Sequence, residues 1–152
     1  IMLDTTLYQD VIKSFLRAGY HKWEISNWGH MELLPTHGID ISWDASLYMM
    51  NTQSMQMAKN IGAQRITLPI EDTLENLKTT SAKAPLPCTL IVYQDVPLFL
   101  SRNCIKNQCA HCNKGACSIP LIKEGEKYQA KIQNCALTLI NEKPFYIGKD
   151  RE

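Results

Sequence analysis

Three runs decide the fold: IDISW at residues 39–43, NTQSMQMAKN at 51–60 and RITLP at 65–69. The first and last are short and rich in β-branched and aromatic residues, as strands are. The middle run has helical spacing, with Met55, Ala58 and Lys59 near its end, and Ile61-Gly62-Ala63 closes it. Strand, helix and strand in close succession is the rhythm of a parallel sheet, because parallel neighbours need a crossover connection.

The same rhythm extends in both directions. Residues 4–18 read as a helix capped by Asp4 or Thr5, with Leu7, Val11, Ile12, Phe15 and Leu16 at helical spacing and Gly19 as the stop. Lys22 to Trp28 alternates as a strand does, and the loop His30 to Gly38 follows. Downstream, Glu71 to Thr80 reads as a helix opened by acidic residues, which suit the positive end of a helix dipole. Ala84-Pro85-Leu86-Pro87 ends it, and Thr89 to Tyr93 reads as a buried strand. A complete (β/α)₈ barrel takes about 250 residues. The fold expected is therefore α/β: parallel βα units forming about half of a TIM-type barrel over residues 1–100, then a Cys-rich metal-binding tail over residues 101–152. A small open sheet is the competing reading. A half barrel leaves raw strand edges, to be covered by the remainder of a parent chain or by a second copy. The start at Ile1 fits a piece of a longer or processed chain.

The 16 basic and 15 acidic side chains nearly cancel, so no broad field for nucleic acid is present. No apolar run reaches the roughly 20 residues of a membrane helix, and the N-terminus lacks a signal-peptide layout. Five of the six cysteines crowd into Cys104 to Cys135, unlike the spread of a secreted disulfide scaffold. A reducing cytoplasm with free thiols is the expected setting.

The cysteine stretch reads Cys104-x4-Cys109-x2-Cys112-x4-Cys117-x17-Cys135. A Cys-x2-Cys turn brings two sulfurs to one ion, and two further thiolates complete a tetrahedron. Cys104, Cys109, Cys112 and Cys135 are the expected ligands, with Cys117 as substitute. Zinc and a 4Fe-4S cluster both suit thiolates, and spacing does not choose between them. His111 lies inside the turn and is set aside as a ligand; Cys88 reads as a core cysteine. The bland alternative is a group of free thiols or one disulfide.

Glu24 and Asp44 lie on or just after strands, where parallel folds build their sites, and are the candidate acid or base groups. His21, His30 and His37 flank the first strand and read as surface residues. Trp23, Trp28 and Trp43 read as packing rather than ligand stacking. Lys106, Lys114, Lys123, Lys127 and Lys131 lend the tail a modest basic character, compatible with RNA contact, though a solvated surface explains them more simply.

Two stretches also resemble the late barrel strands of the peptidase U32 family. One is Ile39 to Asn51 followed by Ala58 to Glu71, where that family has a strand, an Asn before a helix, a glycine, and a strand reading r-i-t-l-s-x-E. The other is Val92 to Cys104, similar to its v-Y-G-x-x-P-L-M-x-x-x-x-C. Cys109, Cys112 and Cys135 match the family's tail, so the resemblance spans residues 20 to 147. Gln94, Phe99 and Pro69 depart from it. The resemblance implies the C-terminal part of a collagenase-like peptidase acting on protein, with these cysteines as a structural set. Other members are similar to oxygen-independent hydroxylation factors for RNA bases or quinone precursors, and these carry iron–sulfur clusters. The family's signature stretch does not occur in these residues, so its activity cannot be carried over residue by residue. A non-catalytic module binding RNA or a partner protein is the alternative.

Overall fold

The computed structural model describes residues 5–35, 37–102, 115–133 and 136–147. The chain divides into two compact units, Ile1–Ile91 and Val92–Glu152.

The first unit holds helices α1 (Thr5–Arg17), α2 (Thr52–Asn60) and α3 (Leu74–Ala82) and strands β1 (Lys22–Ile25), β2 (Asp40–Trp43), β3 (Arg65–Leu68) and β4 (Cys88–Leu90). The strands form one parallel sheet in the order β1-β2-β3-β4. The α/β class and the parallel sheet stand as expected; the sheet is open, and the described residues close no barrel.

Local chemistry sets most boundaries. Gly19 has φ +90° and ends α1, where Tyr20 N–H bonds the Phe15 carbonyl at 3.1 Å. The cap expected at Asp4 or Thr5 lies outside the described side chains. Asn51 Oδ1 caps α2 by accepting from Ser54 N–H at 2.9 Å. Several boundaries differ from expectation, the strand expected over Thr89 to Tyr93 ending at Leu90 among them. The first strand stops at Ile25, because Asn27 Oδ1 accepts from Gly29 N–H and starts the 3-10 turn Trp28–Glu32. The third helix starts at Leu74, because Thr73 caps it; Glu71 stays in the preceding loop.

Register separates the two faces of this sheet. Trp23, Ile25, Ile41, Trp43, Ile66, Leu68 and Cys88 fall on one face, and all belong to or pack against a single core cluster. Ile12 of α1, Met55 and Ala58 of α2 and Leu77 of α3 join the same cluster. Trp43, Met55 and Ile66 are fully buried, and each such side chain contributes roughly 2–3 kcal/mol by leaving water. The other face carries Lys22, Glu24, Asp40, Ser42, Arg65, Thr67 and Thr89. β4 is not the buried strand its apolar run implies: it lies at the sheet edge, with Thr89 and Leu90 exposed.

The second unit is β. Strands β6 (Pro97–Ser101), β7 (Cys117–Lys123), β8 (Glu126–Gln133) and β9 (Ala136–Asn141) form an antiparallel sheet in the order β6-β9-β8-β7. β5 (Tyr93–Gln94) pairs with β10 (Phe145–Tyr146). Glu124 (φ 54°) and Gly125 (φ 83°) make the tight turn between β7 and β8. Cys117, Ile119, Ala130, Ile132, Leu137 and Leu139 share one face and form its small core.

Candidate functional site

In parallel sheets, sites gather beyond the carboxyl ends of the strands. Glu24 is on the polar face near that end of β1. Its Oε1 accepts a 3.2 Å hydrogen bond from Thr67 Oγ1 of β3, reaching across β2. Thr67 is buried and Glu24 is exposed, so a fixed hydroxyl orients a carboxylate that solvent can reach. On the same face, Asp40 Oδ1 is buried without a hydrogen-bond partner among the described residues.

Asp44, the other candidate, serves locally: Oδ2 accepts from Ser46 Oγ at 2.7 Å and caps the 3-10 turn Ala45–Leu47. That turn ends at Tyr48, whose φ of 52° and ψ of 51° are left-handed. Tyr48 is exposed, and its phenol bonds the Glu71 carboxylate from the loop after β3. That bond and the negative charge of Glu71 hold the phenol pKa above its ordinary value. Sequence reading passes over both residues. Tyr48 gives no signal, because left-handed backbone is read from Gly or Asn; Glu71 falls to the helix-dipole reading.

His30 joins Glu24, Trp23, Ile25, Leu33, Leu34, Tyr8 and Ile12 around a largely apolar cavity of about 250 Å³. His21 and His37 are exposed. Trp43 is wholly buried and meets Trp28 edge to face at 4.8 Å; Trp23 is half-buried, and Trp28 is itself 47% exposed.

Cys104, Cys109, Cys112 and Cys135 lie outside the described residues, as does His111. Cys117 is a free thiol at the start of β7, and Cys88 a free thiol against the first core. Partial burial raises the Cys88 pKa, which keeps it a thiol. Among the described residues no three His, Cys, Asp or Glu side chains form a metal-holding group. The strands nonetheless converge. Ser101 pairs with Leu137, Leu137 with Ile132, and Ile132 with Cys117, one row across the sheet. The chain thus leaves β6, enters β7 and passes from Gln133 of β8 to Ala136 of β9 at the same end of the sheet. The four expected ligands fall in the sequence stretches bounded by these strand ends.

Among the described residues, no helix is long and apolar enough to cross a membrane. Residues 3–134 match the family model described as Peptidase family U32. No curated protein and no solved structure matches the chain.

Proposed function

Because the chain belongs to peptidase family U32, we propose that it is the C-terminal part of a U32-type peptidase, made of half a TIM-type barrel and a cysteine-stapled β unit. The observation that carries this reading is the two-faced parallel sheet. One face packs under all three helices, and the other carries Glu24 hydrogen-bonded to Thr67 near the carboxyl ends. A barrel likewise keeps its helices on one side of the sheet and its catalytic groups at the carboxyl ends of the strands. Glu24 takes a proton from the water that attacks the peptide carbonyl and returns it to the leaving amine as the C–N bond breaks, and Thr67 keeps its carboxylate aimed. Cys104, Cys109, Cys112 and Cys135 hold zinc or a 4Fe-4S cluster. Such a group would supply stability to the second unit rather than chemistry.

Elemental analysis and an absorption spectrum of the purified chain test the staple. Zinc in a colourless protein, or iron with absorbance near about 400 nm, is the expected result. Cys112→Ser should lose the metal and destabilise the second unit by several kcal/mol, since metal binding is coupled to folding. Unchanged metal content and melting temperature in that variant overturn the site. For the reaction, peptide hydrolysis by the parent protein should fall about 100-fold or more in Glu24→Gln. Full activity there removes Glu24 from the mechanism.

A further inference from the structure

The antiparallel sheet of the second unit has a second face that the cysteine site does not use. Register places Ser118 and Pro120 of β7, Gln129, Lys131 and Gln133 of β8, and Thr138 and Ile140 of β9 on it, opposite the small core. Two cavities lie along this face, of about 570 and 270 Å³, and they share Asp95 and Ile140. The larger is also bordered by Gln94 and Pro97, from the segment joining β5 to β6. The two adjoin through Asp95 and Ile140 as a shallow, open groove.

The groove is nearly neutral. Lys131 Nζ lies 3.8 Å from Asp95 Oδ2, and Lys127 Nζ lies 3.8 Å from Glu142 Oε2. These are the lysines that lend β8 its basic character, and each faces a carboxylate. Such a surface attracts a polyanion poorly, and nucleic acid binding depends on unpaired cationic charge. Among the residues lining the two cavities the one aromatic ring is the half-buried Tyr128 of the smaller, so successive bases have no stacking platform. What the groove does offer is carboxamides and a hydroxyl: Gln94, Gln129, Gln133 and Thr138. A carboxamide donates and accepts together, which matches the N–H and C=O of a peptide backbone.

We propose that this face is a binding groove for an extended, uncharged polypeptide segment, held through its backbone amides by Gln94, Gln129, Gln133 and Thr138. Side chains of the segment rest on the exposed Pro97 and Pro120, and recognition is by backbone rather than by charge. Binding there involves no hydrolysis.

Fluorescence anisotropy on the full chain tests it, using a fluorescein-labelled, end-blocked octapeptide of alternating Ser and Ala. Saturable binding is expected, changing by less than about twofold between low and high salt, because no counterions are released. The double variant Gln129→Ala/Gln133→Ala should bind about 10-fold more weakly with an unchanged melting temperature. The same peptide N-methylated at alternate residues should bind no better than that variant does. Absence of saturable binding, indifference to the variant or to N-methylation, or tighter salt-sensitive binding of a labelled octauridylate would each overturn the proposal. Loss of hydrolysis in Glu24→Gln with peptide binding intact separates this groove from the catalytic reading.

Discussion

Tyr48 adopts a backbone that costs an L residue roughly 1–2 kcal/mol, yet its ring is exposed and repays none of this by burial. Its phenol is instead engaged with Glu71. The folded state therefore holds the phenolic proton more tightly than the unfolded chain does. The linked stabilisation is complete below about pH 10 and is lost as pH rises through the raised pKa. Titration of tyrosinate absorbance should show a late-ionising tyrosine that returns to the ordinary range in Glu71→Gln; an unchanged titration would exclude the contact. Trp43 is wholly buried, and its Nε1–H has no acceptor among the described residues. Phenylalanine keeps much of the packing and removes the orphan donor. Trp43→Phe should cost no more than about 1 kcal/mol, against about 3–5 for Trp43→Ala, in urea unfolding. Neither feature was legible in the sequence. A positive φ at tyrosine and an unpaired indole N–H both depend on neighbours brought in by folding.

Elements follow their caps. Asn51→Ala should destabilise the first unit by about 1 kcal/mol and Asn51→Asp by far less, because aspartate still accepts the Ser54 N–H. Equal losses in chemical denaturation would mean that the cap is not what starts α2. The parallel elements could be read from hydrophobic period and caps, and three of the four strands lie where that reading puts them. The fourth, β4, broke the pattern: its apolar run implied full burial, and pairing only with β3 left it at an edge. In the second unit, strand signals were present in Tyr128-x-Ala130-x-Ile132 and in the Glu124-Gly125 turn. Cysteine spacing dominated the reading of that stretch and gave no strand order. The groove residues Gln129, Lys131 and Gln133 share a face only once β8 is known to be a strand.

At the scale of the molecule, each unit has its own core, Trp43, Met55 and Ile66 in one and Ala130, Ile132 and Leu137 in the other. If a metal staples only the second, a strong chelator should speed amide hydrogen exchange in Val92–Glu152 and leave Ile1–Ile91 unchanged, as mass spectrometry would read it. Uniform acceleration through both units would argue against a local staple. By itself the sequence determined the α/β class, the order of the parallel units, the family and the cysteine spacing. Each of these is written in local period, in caps, or in residue identity along the chain. Tertiary structure alone decided that Glu24 meets Thr67, that Tyr48 meets Glu71, and that two lysines of the second sheet face carboxylates. Those pairings join residues distant in the chain, and the packing of strands and loops, which no local pattern encodes, sets which of them meet.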